Sequence, residues 1–357
     1  MNLPALERLR LFLRPPGRGI FTFSTGGGYA TPLLRGIYGS SESAQVQNAW
    51  EDSLQRIRRV STLILGIPSD TGAGILRGAN FGPLGVRLAY LKRFGALPKN
   101  VVDVGDVIVV PQLLHDEMLS EGQKAATRAE LYPGIEEKLP VSPLSIAEEV
   151  LNALYELNPQ AQVLIIGGDH SVSWPAMLYC RKRCGDNFGV LHFDAHTDLL
   201  ENRVGVKYCF ATWARHALQL MKPHHLVQVG LRTSSHTKEY WEQMLPVTQF
   251  WAHEIRGRET EMLEKILAHF HQLKIKQLYL SNDIDGTDMA EAPATGTPEK
   301  EGLTAQFVLA LSERAKKEFD LIGGDVVEVA PPLSGEWDFA QEKTSLLGAQ
   351  YLNSLIK

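Results

Sequence analysis

Short apolar runs separated by helical segments constrain the fold of this 357-residue chain most strongly. Runs rich in β-branched and aliphatic residues, most of which end in Gly or Asp, occur at 63–67, 101–110, 163–166, 190–193, 226–229, 278–280 and 326–329. Such runs are typical of parallel strands buried on both faces. Amphipathic helical patterns lie between them, around 143–157, 174–183, 259–273, 304–317 and 343–356. Because strand and helix alternate along the chain, the sequence predicts right-handed βαβ crossovers and an α/β fold.

The same pattern predicts a single three-layer α/β/α domain with a mainly parallel, roughly eight-stranded sheet. No internal repeat and no linker-like change of composition divides the chain. We therefore expect residues 61–357 to form this domain and residues 1–60 to form an N-terminal extension of helix and loops.

Composition excludes several classes of protein. Lys and Arg number 36 and Asp and Glu 41, a net charge of −5, so no basic surface favours a nucleic acid or an anionic membrane. Three cysteines are too few for a disulfide framework. No apolar run approaches the roughly 20 residues of a membrane-spanning helix. We expect a cytoplasmic protein without a nucleic-acid or membrane partner.

Polar motifs follow three of the predicted strands. The runs at 163–166, 190–193 and 278–280 lead into G-G-D-H-S, D-A-H-T-D and S-N-D-I-D. In parallel sheets ligands bind at the carboxyl ends of the strands, where these motifs lie. Asp169 and Ser171 also fit a simpler role, because Asp and Ser after a strand are common helix N-caps.

The spacing within these motifs predicts a metal centre. In an extended segment Asp194, His196 and Asp198 share one side, and so do Asp283 and Asp285. So many carboxylates could not all ionise in one desolvated site without cations. Their number indicates more than one ion. Oxygen-rich donors with one imidazole per ion favour Mn²⁺, and Zn²⁺, Co²⁺, Ni²⁺ and Fe²⁺ remain alternatives.

With these motifs in place, the chain resembles the ureohydrolase family of arginases, agmatinases, guanidinobutyrases and formiminoglutamases. The resemblance covers about residues 64–352 and includes further blocks at 64–70, 77–83, 293–298 and 325–331. It implies an arginase-like fold and six ligands for two Mn²⁺ ions: His170, Asp194, His196, Asp198, Asp283 and Asp285. Asp194 and Asp283 would bridge the ions.

The resemblance also implies a reaction. The two ions would lower the pKa of a water molecule, and the resulting hydroxide would attack the trigonal carbon of a guanidinium. Asp198 would accept the proton and pass it to the leaving amine. Glu328 would pair with the guanidinium in bidentate fashion.

Two departures from the family pattern concern the substrate. Agmatinase-like members have a histidine that assists proton transfer, where this chain has Phe210 in Tyr-Cys-Phe-Ala-Thr. Phenylalanine cannot transfer a proton, so either the substrate needs less acid assistance, or His216 substitutes for the histidine, or the site is not hydrolytic in the usual sense. The segment 199–206 lacks the small polar residues by which arginases hold arginine. Glu201, Asn202 and Arg203 could contact another polar tail or could belong to a solvated loop.

Three functions are compatible with these features. The first is hydrolysis of a guanidino compound to urea and an amine, as in agmatinases, guanidinobutyrases or guanidine hydrolases. The second is a formiminoglutamase-like reaction that releases formamide. The third is a binding protein whose chemistry was lost through Phe210. The resemblance further implies a homo-oligomer, a trimer or a hexamer.

Overall fold

A nine-stranded sheet forms the centre of the molecule, which the computed structural model describes over residues 3–21 and 27–357. The strands are β1 (Leu13–Arg14), β2 (Thr62–Ile67), β3 (Val101–Val107), β4 (Gln162–Gly167), β5 (Gly189–Phe193), β6 (Leu226–Leu231), β7 (Val247–Trp251), β8 (Gln277–Asp283) and β9 (Asp320–Val327). Their order across the sheet is β1-β3-β2-β4-β9-β8-β5-β6-β7. All neighbours are parallel except β1 and β3. The predicted α/β class is confirmed.

Helices cover both faces of the sheet. They are α1 (Ala5–Phe12), α2 (Thr31–Tyr38), α3 (Ser43–Leu54), α4 (Gly82–Phe94), α5 (Glu121–Leu131), α6 (Pro143–Leu157), α7 (Ser173–Cys184), α8 (Trp213–Ala217), α9 (Lys238–Met244), α10 (Ala252–Ile255), α11 (Glu259–Gln272), α12 (Ala305–Glu318) and α13 (Lys343–Leu355). Helices α1, α3, α6, α7 and α8 share one hydrophobic core, and α4, α11, α12 and α13 share the other. None of the described helices is long and apolar enough to cross a bilayer.

Strand β9 begins and ends earlier in the chain than the apolar run at 326–329 predicts. The strand β9 begins at Asp320 and ends at Val327. Gly323 and Gly324 interrupt its apolar pattern, so the sequence signal starts only after them. They are required because a Cβ at either position would stand 2.7 or 2.8 Å from a carbonyl oxygen of a neighbouring strand. The glycines that close strand packing requires therefore remove the apolar pattern from about half of this strand.

The N-terminal segment packs on the edge of the sheet. Leu9 and Phe12 of α1 and Trp50 of α3 are fully buried in the same core as the strands. The indole Nε1 of Trp50 donates a hydrogen bond of 2.9 Å to the carbonyl of Val104. Residues 1–2 and 22–26 of the predicted extension lie outside the described residues, and its boundary near residue 60 stays a prediction.

Four adjacent strands at the middle of the sheet place the polar motifs. They are β4, β9, β8 and β5, in that order, and all four are parallel. Their carboxyl ends therefore meet at one edge. His170, Glu328, Asp283 and Asp194 follow or end these strands, so segments far apart in sequence converge there.

Candidate metal centre

One imidazole nitrogen lies at the centre of the site. His170 begins a short 3-10 helix after β4 and is fully buried. Its Nδ1 is 3.0 Å from Oδ2 of Asp283, 3.2 Å from Oδ2 of Asp194 and 3.3 Å from Oδ2 of Asp198. Three carboxylates from two strand ends thus converge on one buried nitrogen.

A second group of ligand atoms adjoins the first. Nδ1 of His196 is 3.2 Å from Oδ2 of Asp285 and 3.4 Å from Oδ1 of Asp194. Asp194 belongs to both groups, with Oδ2 in the first and Oδ1 in the second. This arrangement suits a carboxylate that bridges two ions.

The hydrogen bonds behind His170 leave Nδ1 of the neutral ring as an acceptor with a free lone pair. The carboxylate of Asp325 accepts the hydroxyl proton of Ser281 over 2.9 Å. Ser281 must then accept from Nε2 of His170, which is 2.9 Å away. In the neutral ring Nδ1 therefore carries a lone pair, and it is a buried atom without a hydrogen-bond partner among the described residues. Lone pair and carboxylates repel each other unless a proton or metal ion lies between them.

The distances also fit a metal ion. Donor atoms bound about 2.1 Å from one ion stand about 3.0 to 3.4 Å apart, depending on the coordination geometry. The nitrogen–oxygen distances in both groups lie in this range. The donor set, mostly oxygen with one imidazole in each group, suits Mn²⁺ and related divalent ions.

Without metal, the site stores protons. Burial raises the pKa of Asp283 well above its ordinary value, and the charges of Asp285 and Asp194 raise it further. Burial alone would lower the pKa of His196, but Asp285 and Asp194 raise it to about 12. The pKa of His170 is likewise raised well above its ordinary value, since three carboxylates outweigh its burial. Divalent cations would displace these protons on binding.

Further hydrogen bonds aim the carboxylates. Trp213 donates from Nε1 to Oδ2 of Asp198 over 3.0 Å. Asp285 accepts from the hydroxyl of Thr297 over 2.8 Å and from the amide of Ala195 over 3.1 Å. Both oxygens of Asp285 are thus held by the chain, which fixes the direction of their remaining lone pairs.

Asp169 has a different role from its neighbour His170. It is fully buried and accepts from the amides of Ser171 and Gly72, each over 2.9 Å. Burial raises its pKa to about 6. The N-cap interpretation of Asp169 therefore agrees with the structure, and this carboxylate also ties down the loop that contains Gly72.

Glu328 lies directly beside the ligand cluster. Its Oε1 accepts from the amide of His170 over 2.9 Å, and it is only 5% exposed. Burial and then the charge of Asp169 raise its pKa well above the ordinary value. A Cβ at Gly296 would lie 3.7 Å from Oε2, so backbone without a side chain borders this oxygen. A buried carboxylate held this way is suited to a cationic partner.

The other sequence-predicted residues are distributed differently. Phe210 is half-buried, and its amide donates to the carbonyl of Gly72 over 3.1 Å. His216 packs on Tyr208, with Nε2 2.9 Å from the carbonyl of Lys207. These contacts engage His216 away from the ligand atoms.

Asn202 lies on an exposed loop beyond the candidate ligand Asp198. Its Oδ1 accepts from the amide of Gly205 over 3.1 Å, so this side chain stabilises its own loop. Next to it, the guanidinium carbon of Arg203 lies 5.1 Å from the ring centroid of Phe210. Arg203 and Phe210 line a cavity of about 250 Å³ together with residues 71–75.

Two aromatic residues that contact the candidate ligands were missed by the sequence analysis. Trp213 packs against both His170 and His192, with ring centroids 4.7 and 4.9 Å away. His192 is fully buried, and its Nε2 is 2.8 Å from Oδ2 of Asp194. The alternation of a strand could have identified His192, because it lies two residues before Asp194 and shares its side. No local signal announces Trp213, which approaches from helix α8.

Comparison with known proteins agrees with this geometry. A model of the Arginase family matches residues 60–357. The guanidinobutyrase of Pseudomonas aeruginosa is 29% identical over 348 residues, covering 92% of this chain and 94% of that protein. The mitochondrial agmatinase of Gallus gallus is 31% identical over 312 residues, covering 82% and 79%.

A solved structure shows the same fold. The proclavaminate amidino hydrolase from Streptomyces clavuligerus is 27% identical, covers 83% of this chain and 92% of that chain, and superposes with a TM-score of 0.64. The family match, the relatives and the cluster of candidate ligands support one assignment. This chain belongs to the arginase family and is a hydrolase that acts on amidino C–N bonds.

Proposed function

We propose that this protein hydrolyses a guanidino acid to urea and an amino acid at a centre of two Mn²⁺ ions. The observation that carries the proposal is the convergence of Asp194, Asp198 and Asp283 on Nδ1 of His170, beside the buried carboxylate of Glu328. Water adds its oxygen to the guanidino carbon, the C–N bond to the tail breaks, and both protons of the water pass to the leaving nitrogen, so that urea and an ammonium group form.

The protein's own groups bind and orient the reactants. The ions, when bound, supply a water molecule of lowered pKa. Glu328 holds the guanidinium by charge-assisted hydrogen bonds. Asp198 takes up and returns the proton, and the indole of Trp213 holds its Oδ2 in place. We assign this transfer to Asp198 rather than His216, because Nε2 of His216 is occupied by the carbonyl of Lys207.

The cavity beside Phe210 indicates which kind of substrate tail the site prefers. Arg203 borders it, is exposed, and forms no ion pair among the described residues. A cation without a carboxylate partner attracts an anionic tail and repels the cationic tail of agmatine. The guanidinium of Arg203 therefore supports a carboxylate at the far end of the substrate.

We infer the remaining properties from the donor set, the family resemblance and the composition. The oxygen-rich donor set supports Mn²⁺ as the native ion, although Ni²⁺, Co²⁺, Fe²⁺ and Zn²⁺ accept similar ligands. Assembly as a homotrimer or homohexamer and a cytoplasmic location stay predictions from the family resemblance and the composition.

Urea release tests the proposed reaction. We expect protein loaded with Mn²⁺ to release urea from 4-guanidinobutyrate or 3-guanidinopropionate, and much less from agmatine or arginine. Formamide from a formimino substrate, without urea from any guanidine, would establish the formiminoglutamase-like alternative. Two bound ions with no turnover of either class would favour the binding-protein alternative.

Replacing Arg203 tests the tail preference. Arg203→Gln should lower kcat/KM for the guanidino acid by about 10- to 100-fold, since a hydrogen bond to a charged group contributes about 1.5 to 3 kcal/mol. The kinetics should be compared with Arg215→Gln, a matched change on helix α8. Unchanged kinetics for Arg203→Gln would remove the carboxylate assignment but leave the hydrolytic reaction intact.

A further inference from the structure

A row of buried polar side chains crosses the sheet toward the metal centre. His192 on β5 is in register with Gln228 on β6, and Gln228 is in register with Gln249 on β7. All three are at most 1% exposed. Buried polar groups in a parallel sheet are costly unless they are fully hydrogen-bonded. Each donor and each acceptor of these three side chains therefore requires a partner.

An indole fixes one end of the row. Nε1 of Trp251 can only donate, and it lies 3.0 Å from Oε1 of Gln249. The other end of that amide, Nε2, then donates to Oε1 of Gln228 over 2.9 Å. Nε2 of Gln228 is left to donate to Nδ1 of His192 over 3.1 Å. Because the indole of Trp251 can only donate, the direction of each following hydrogen bond in the row is fixed.

A second anchor gives the same direction independently. The backbone carbonyl of Thr197 can only accept, and it lies 2.6 Å from Nε2 of Gln228. Turning this amide around would place two oxygens against each other at that position. The indole of Trp251 and the carbonyl of Thr197 therefore both orient Gln228 so that its Nε2 donates to His192.

The tautomer of His192 follows. Because Nδ1 accepts from Gln228, the ring proton is on Nε2, which is 2.8 Å from Oδ2 of Asp194. Oδ1 of the same carboxylate accepts from the amide of His196 over 2.5 Å. Each oxygen of Asp194 thus has one donor from the protein and one lone-pair direction left. The remaining directions serve the groups around His170 and His196, one on each side.

We propose that Gln228 and Gln249 are positioning residues, which hold His192 as a donor to Asp194 and thereby aim this carboxylate at two metal ions. His192 itself is then not a metal ligand, although its nitrogen lies among the ligand atoms of the first group. The inference rests on the proposed dinuclear centre, but it does not depend on which substrate is hydrolysed.

Measuring Mn²⁺ binding by variants tests whether these glutamines position His192 and Asp194. Gln228→Leu should weaken binding of Mn²⁺ by about 10- to 100-fold, as is typical for partners that orient ligands, and should change the electron paramagnetic resonance signal of the coupled Mn²⁺ pair. Gln162→Leu is the matched control. Gln162 is also fully buried in a strand and bonded to Thr62 and Leu355, far from the ligands. Gln162→Leu should affect the stability of the fold without changing the electron paramagnetic resonance signal of the Mn²⁺ pair.

A measurement on the parent protein guards against a variant that fails to fold. Spectra of ¹⁵N-labelled histidine should show His192 protonated at Nε2 and unprotonated at Nδ1. A proton on Nδ1, or Mn²⁺ affinity and signal unchanged in folded Gln228→Leu, would overturn the inference. Absence of urea release with these metal effects present would overturn the proposed function alone.

Discussion

Asp283→Asn should lower urea release by about 1000-fold and reduce the bound metal below two ions per chain. That loss corresponds to about 4 kcal/mol of transition-state stabilisation, in the range that a catalytic metal supplies. The reason is geometric, because Oδ2 of Asp283 is the oxygen nearest Nδ1 of His170, at 3.0 Å. An amide offers a neutral oxygen or a nitrogen donor in place of a charged ligand. Metal analysis and steady-state kinetics on the same preparation measure both effects.

A neighbouring aspartate provides the control for this variant. Asp288 lies in the same segment, and its oxygens accept from the amides of Ala290 and Gly302. Asp288→Asn changes the same charge without removing a ligand and should retain two ions. Full metal content and full activity in Asp283→Asn would contradict the assignment of Asp283.

Glu328→Gln should lower kcat/KM by about 100- to 1000-fold while both ions remain bound. Breaking a buried hydrogen-bonded charge pair costs about 2 to 5 kcal/mol in binding, and here the partner is the guanidinium of the substrate. Glutamine retains an oxygen that can accept from the amide of His170, so the first ligand group should stay in place. Metal analysis separates this result from that of a ligand variant.

The same variant has an expected effect on stability. Burial raises the pKa of Glu328 in the folded protein, so the unfolded chain ionises at lower pH than the folded one. The carboxyl therefore destabilises the metal-free fold at neutral pH, and this penalty disappears as pH falls below the unfolded pKa of about 4.3. Metal-free Glu328→Gln should melt higher than the parent at pH 7 and nearly equally at pH 4. A lower melting temperature at pH 7 would contradict this account.

The convergence of the candidate ligands was predictable because each of their motifs is local in the sequence. His170, Asp194 and Asp283 lie at the ends of apolar runs, and the topology of a parallel sheet brings those ends together. The supporting groups were harder to find. Gln249 and Trp251 lie on β7, whose polar residues weaken its strand pattern. Their importance depends on the registers of β7 with β6 and of β6 with β5, which only the structure defines.

The substrate side of the site was less predictable for a related reason. His216 was chosen by its distance along the chain from Phe210, yet its ring turns toward Tyr208 and Lys207. Loop conformation decides such contacts, and loops have no regular period from which a direction can be read. Strand ends are therefore better guides to function than distances along a loop.

The distribution of the site along the chain has a consequence for biosynthesis. His170 and Ser281, which share a hydrogen bond, are 111 residues apart, and Glu328 follows His170 by 158 residues. A ribosome that synthesises this chain releases the ligands of β4 and β5 well before those of β8. No complete ion site exists until most of the sheet has formed, so the nascent chain cannot select its metal. The ion acquired then depends on the oxygen-rich donor set together with the divalent metals that are present after folding.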